Sequence, residues 1–261
     1  MNVYPVKPPV VMIHGAFCGG WAFEHWADLF AAEGYRALTP TLRHHDEGKR
    51  PSPALGSVSL KDYIADLADL IDSLPAKPIL IGHSMGGLLA QMLAAQGRAA
   101  AIVLLAPSAP WGMLPSTPFE FFGAQALLFA GDFWRRPLYP ERWIASSHAL
   151  DRLDKQTHDA AFARMVPESG LATFEIMHWA LDLNRAAYVD AKKLTCPVLA
   201  FGCTADRINP AATVKRIAQR YKGEYRELSG FSHWPMAEPG WEAVAEQTLG
   251  WVERATSAVP R

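Results

Sequence analysis

Apolar positions along this chain fall into two alternating patterns. Short runs bounded by Pro, Gly or polar residues occur at "PVVMIH" (9–14), "YRALTP" (35–40), "KPILIGHS" (77–84), "AAIVLLAP" (100–107), "CPVLAFG" (196–202) and "GEYREL" (223–228). Their length and punctuation predict strands. Between them, apolar residues recur at helical spacing over 21–34, 59–74, 85–97, 210–221 and 241–255. Gly34 and Gly97 supply C-terminal stops, and Ser59 with Asp62 a helix start. Residues 42–57, polar and rich in Pro and Gly, predict a loop. Continuous apolar strands alternating with helices predict an α/β fold, with a mostly parallel sheet buried on both faces.

The alternation breaks once. From Ser108 to Asp190 the chain is helical in places, rich in Trp, Phe and Pro, and has no clear strand. The expected organisation is a core of residues 1–107 and 191–261, with 108–190 as a helical cap inserted after the fourth strand. A chain of 261 residues that is 50% hydrophobic suffices for one large core.

Charge changes this picture little. With 26 acidic and 25 basic residues the net charge is −1, so nothing favours nucleic acid or an anionic membrane as partner. No apolar run is long enough to span a bilayer, and "MNVYPVKPPVVMIHG" lacks the layout of a signal peptide. Cys18, Cys196 and Cys203 are odd in number and form no CxxC pair, which predicts free thiols in a reducing cytoplasm and no metal site.

In an open parallel sheet, ligands bind beyond the carboxyl ends of the strands. The polar residues expected there are His14 to Phe17, Ser84 with Met85, Asp206 and His233. Gly82-His83-Ser84-Met85-Gly86 fits G-x-S-x-G with a strand before it and a helix after it. Such a turn lifts a serine hydroxyl into the open at a helix N-terminus. A serine needs a base, usually a histidine oriented by a carboxylate. Among nine histidines, His233 alone sits in a loop after a late strand, and Asp206 lies in the turn after an earlier one. The order Ser84, Asp206, His233 is the one this architecture calls for. His14 is expected to hold its loop by hydrogen bonds, His83 to be structural, and Cys18 to line the pocket. "HHD" at 44–46 reads as solvated surface, and Glu175 with His178 as a polar edge of the insertion.

"HGAFCGGWAFEHW", "GHSMGG" and "SHWPMAEP" together resemble the α/β-hydrolase-fold serine hydrolases, over nearly the whole chain. The short N-terminus is similar to the branch of plant methylesterases and hydroxynitrile lyases. The resemblance implies a cofactor-free hydrolase with Ser84, Asp206 and His233 as catalytic triad. It also implies an oxyanion hole from the N–H groups of Ala16 and Met85, with Phe17 the next candidate. The expected substrate is a small to medium apolar or aromatic ester, in a pocket to which Trp111, Trp179 and Trp234 are assigned. A hydroxynitrile lyase of this branch tends to carry Thr in place of Gly15 and Lys in place of Trp234, so the chain reads as a carboxylesterase. A perhydrolase, a C–C hydrolase and a non-catalytic receptor remain open. Epoxide hydrolases and haloalkane dehalogenases carry Asp where Ser84 stands.

Overall fold

The computed structural model describes residues 7–129 and 131–257. The first six residues, part of the stretch searched for a leader, lie outside the described residues. The strands are β1 (Val10–Ile13), β2 (Ala37–Leu38), β3 (Ile79–His83), β4 (Ala101–Leu105), β5 (Val198–Cys203) and β6 (Glu224–Leu228). They form one sheet in the order β2-β1-β3-β4-β5-β6, and every neighbouring pair is parallel. In chain order the helices are α1 (Glu24–Ala32), α2 (Leu60–Asp72), α3 (Met85–Ala95), α4 (Pro118–Leu128), the single turn α5 (Arg142–Ile144), α6 (Lys155–Arg164), α7 (Gly170–Met177), α8 (Ala211–Arg220) and α9 (Trp241–Ser257).

The alternation of side chains along each strand divides the core in two. Val11, Ile13, Leu80, Ile102, Leu104 and Ala200 face one cluster, which takes in the apolar sides of α2, α3 and α8. Val10, Met12, Ile79, Ile81, Val103, Leu105 and Phe201 face the other, against α1 and α9. Strands β1, β3, β4 and β5 are buried throughout. Edge strand β6 keeps Glu224 and Glu227 exposed, and charge on an open edge discourages pairing with another chain. Helix α2 buries Leu60, Tyr63, Ile64, Leu67, Ala68 and Ile71, a stripe of i, i+3, i+4, i+7 spacing. Its start is the expected one: Ser59 and Asp62 form a capping box.

Some boundaries move. The predicted helix over 21–34 begins as a 3-10 turn, Gly20–Phe23, before α1, and the predicted strand 35–40 pairs only over Ala37–Leu38. The loop 42–57 ends in a 3-10 turn at Pro53–Ser57.

All of α4 to α7 lies between β4 and β5. Among the described residues of this insertion, the strand-like pairing is one antiparallel bridge between Leu138 and Glu168. The insertion is bolted to the sheet domain by polar contacts. Val166 N–H donates to the Phe17 carbonyl at 3.0 Å, and Asp151 accepts from the Ser232 hydroxyl at 2.6 Å. Two expectations fail here. Glu175 is no polar edge: it is buried and accepts from Ser59 Oγ and Leu60 N, both at 2.7 Å, at the start of α2. Nor is His45 solvated. It is buried against Glu168 at 3.0 Å, while Asp46 beside it stays exposed. In each case the partner arrives from more than 100 residues away, so no local pattern announced the burial.

Candidate active site

Ser84 sits between β3 and α3 with φ 51° and ψ −121°, a left-handed conformation that non-glycine residues seldom adopt. The neighbouring glycines make room for it. A Cβ on Gly82 would strike the Gly86 carbonyl, and one on Gly86 would strike the carbonyls of Ile13 and His14. The turn is tied down through the Ser84 carbonyl, which accepts from Gly87 N at 2.9 Å and Ser108 N at 2.9 Å.

Three side chains meet at this turn. His233 Nε2 lies 3.1 Å from Ser84 Oγ, and its Nδ1 lies 2.8 Å from Asp206 Oδ2. The second Asp206 oxygen accepts from the N–H groups of Ile208 and Asn209, at 2.8 and 3.0 Å. With that oxygen occupied, the other is held toward the imidazole. Asn209 in turn donates to the Ala106 carbonyl at 2.8 Å, fixing the acid's turn to the end of β4. All three side chains are at most 8% exposed, so their mutual hydrogen bonds form with little competition from water. The arrangement can pass a proton from the serine hydroxyl to the imidazole and stabilise the cation that results.

The loop after β1 runs alongside the serine. A Cβ on Gly15 would lie 3.0 Å from Ser84 Cβ, so only glycine lets the loop come this close. Among the described residues, no backbone acceptor takes the N–H of Ala16 or of Met85. Phe17 adopts φ 63° and is half-buried. His14 has the expected structural place: its Nδ1–H donates to the Gly15 carbonyl at 2.8 Å and its Nε2 accepts from Leu42 N at 3.1 Å. Burial, aided by the nearby His45, lowers its pKa to about 3 and keeps the ring neutral.

Trp111 and Trp179 meet edge to face at 5.2 Å, with Tyr188 beside them and the Arg185 guanidinium over Trp111. Trp234 is placed elsewhere. It is 3% exposed, stacked on Trp21 at 5.9 Å with its edge toward His83, which leaves no open face for a substrate. Cys18 does not line a pocket either. It is fully buried and donates to the Ala16 carbonyl, and burial pushes its thiol pKa up. Among the described residues no group of three or more His, Cys, Asp or Glu side chains gathers as a metal-ligand set.

Sequence reasoning passed over Glu238. This buried carboxylate accepts from Ser232 N at 2.8 Å and Trp234 N at 2.9 Å, gripping the main chain on both sides of His233. Its position in "SHWPMAEP", five residues after the histidine, was the available signal.

Comparison with known proteins agrees with this architecture. The structure is similar to tomato methylketone synthase I complexed with β-ketoheptanoate, with TM-score 0.72 at 20% identity over 96% of this chain and 99% of that one. In sequence, the chain is 24% identical to epoxide hydrolase A of Mycobacterium tuberculosis, over 92% of its own length and 89% of that protein. It is 37% identical to a carbendazim hydrolyzing esterase of Nocardioides sp. over 79 residues, 30% of this chain and 32% of the esterase. The sequence profile of the alpha/beta hydrolase family matches residues 10–247. With the sheet order, the turn at Ser84 and that match in hand, the chain belongs to the alpha/beta hydrolase family.

Proposed function

We propose that the protein is a cofactor-independent serine hydrolase acting on carboxylic esters. The observation that carries this reading is the order of contacts Ser84 Oγ, His233 Nε2, His233 Nδ1, Asp206 Oδ2, at 3.1 and 2.8 Å. Ser84 Oγ attacks the ester carbonyl as His233 Nε2 takes its proton. The Ala16 and Met85 N–H groups hold the oxyanion, Phe17 completing the loop. The tetrahedral centre collapses, His233 returns the proton to the departing alkoxide, and an acyl-serine remains. Water, deprotonated by the same nitrogen, then releases the acid and restores Ser84.

The likeness to an epoxide hydrolase weighs less than the residue at the turn. A hydroxyl stands at position 84, where epoxide hydrolases carry a carboxylate nucleophile. An apolar or aromatic ester suits the Trp-rich insertion, which acts as a cap over the site in this reading. Trp111 and Trp179 are its candidate pocket walls.

Labelling with a fluorophosphonate probe, followed by peptide mapping, tests the proposal. A single adduct on Ser84, together with p-nitrophenyl acetate turnover lost on labelling, is the expected result. Absence of an adduct on folded protein would overturn it.

A further inference from the structure

His83 occupies the variable position of the elbow and points away from the bulk solvent into the core. It is 1% exposed, and its Nε2 lies 2.6 Å from the His233 carbonyl oxygen. A carbonyl only accepts, so Nε2 carries the proton and donates. Nδ1 is then a bare lone pair, buried and, among the described residues, without a hydrogen-bond partner. It lies over Gly15, where a Cβ would come within 2.8 Å of it. The Trp234 ring packs against the imidazole in a T-shaped arrangement, centroids 5.6 Å apart. Burial, with the His233 ring 4.9 Å away, holds His83 neutral and far below the usual imidazole range. A buried nitrogen left unpaired is destabilising, so this side of the ring gives no reason for a histidine. The donor on the other side of the ring is what only histidine contributes here.

We propose that His83 is a positioning residue for the reaction. Its single donor fixes the main chain of the base, and its ring supports the loop that carries the Ala16 N–H. One rigid side chain, attached next to the nucleophile, thereby sets both base and oxyanion loop relative to Ser84. Glu238 supplies the complementary grip on the amides at 232 and 234. Together they hold the His233 main chain from three sides. The inference rests on the serine hydrolase reading above.

The test pairs His83→Phe, which keeps a ring and loses the donor, with His83→Gln, whose amide restores an N–H near the Nε2 position. Kinetics on p-nitrophenyl acetate are compared with Ser84→Ala and wild type, alongside circular dichroism and thermal unfolding. Misplacing a reacting group by about 1 Å can cost on the order of 10²-fold. The expected result is a kcat loss of that size in His83→Phe with KM little changed, slower fluorophosphonate labelling, and substantial recovery in His83→Gln. Wild-type kcat in folded His83→Phe, or a change confined to KM, overturns the positioning role. Should His83→Phe fail to fold, nitrogen NMR of the wild-type imidazoles decides. A His83 ring protonated only at Nε2, and not titrating while activity rises with pH, supports the proposal; an Nδ1–H tautomer or a titrating ring overturns it. An inactive Ser84→Ala beside a fully active His83→Phe defeats the positioning role alone. An active Ser84→Ala defeats the hydrolase reading, and the NMR result still reports on His83.

Discussion

Two buried clusters in this molecule hold the same three kinds of group: a histidine, a carboxylate and a hydroxyl. At Ser84 the histidine is in the middle, with Asp206 on Nδ1 and the hydroxyl on Nε2. Where the insertion meets the sheet domain, the carboxylate is in the middle. Glu168 accepts from Tyr63 Oη at 2.7 Å, from His45 Nε2 at 3.0 Å and from Ser169 N at 2.6 Å. His45 Nδ1 faces the Arg43 carbonyl at 3.1 Å. Both of its nitrogens therefore meet acceptors, which only the imidazolium can satisfy. Burial opposes that charge, but the attraction and hydrogen bond of Glu168 and the Arg43 carbonyl outweigh it and raise the pKa of His45. Burial likewise opposes the Glu168 charge; His45, Tyr63 and the Ser169 N–H overcome it and lower the carboxyl's pKa. Burial, then Glu168, pushes the Tyr63 phenol up. One cluster thus has a lone pair facing a hydroxyl and can move a proton. The other has no free lone pair on its ring and acts as an ionic staple between insertion and core. Residue type and burial are shared; the order of contacts separates the candidate base from the staple.

The sharpest way to break the comparison is to remove the hydroxyl that His233 faces. Ser84→Ala should fold and lose on the order of 10⁶ in kcat, read with p-nitrophenyl acetate. Near wild-type turnover would remove the distinction between the clusters. Asp206→Asn should cost about 10⁴ in turnover by permitting the wrong tautomer of His233; unchanged turnover would place the acid elsewhere.

The staple should fail differently. Glu168→Gln leaves a buried cation without its partner, a change worth about 3–5 kcal/mol of stability, measured by urea unfolding. Its effect on kcat of the remaining folded protein should be far smaller than either substitution above. The loss should also depend on pH. His45 has a raised folded pKa, so its contribution is complete below the usual histidine value of about 6.5 and disappears as pH rises through the folded value. Glu168 has a lowered folded pKa, so its contribution is complete above about 4.3 and disappears as pH falls through the folded value. The gap between wild type and Glu168→Gln should therefore be widest between about pH 4.5 and 6.5 and narrow in more alkaline buffer. A gap that does not narrow in alkaline buffer would mean that His45 carries no charge in the folded protein.

The smallest effect concerns the insertion's aromatics. If Trp111 and Trp179 wall the pocket, their replacement by Ala should alter selectivity among acetate, butyrate, octanoate and aryl esters. A methylene in an apolar pocket is worth about 1–3 kcal/mol, so the shifts should be about tens-fold. An equal loss on all four esters would leave these residues as structural cover.

Much of the site was legible because it is local. Gly82 to Gly86 are contiguous, and their steric demand shows in the sequence as glycines flanking a serine. Asp206 follows a continuously apolar strand and His233 a short strand marked by its flanking glycines, so topology carries both to one edge of the sheet. The parallel sheet was legible for the same reason, since residues buried on both faces must be apolar without interruption. His45, Glu175 and Glu238 were not legible as buried anchors. His45 lies in a polar loop, Glu175 in the helix LATFEIM and Glu238 beside prolines, and none of these settings shows in sequence which partner covers the side chain. Trp234 shows the converse: it adjoins the candidate base in sequence, yet packing turns it into the core.

The chain by itself thus determined the strand–helix alternation, the elbow and the three candidate reacting groups, because these follow from periodicity, steric size and chain order. Tertiary structure alone decided which histidine is the candidate base, which is a donor and which is charged. Those properties depend on what faces each ring nitrogen: a hydroxyl at 3.1 Å for His233, a carbonyl at 2.6 Å for His83, a carboxylate at 3.0 Å for His45. Such partners are brought together from 123 to 150 residues apart, a distance over which no local pattern in a sequence carries information about contact.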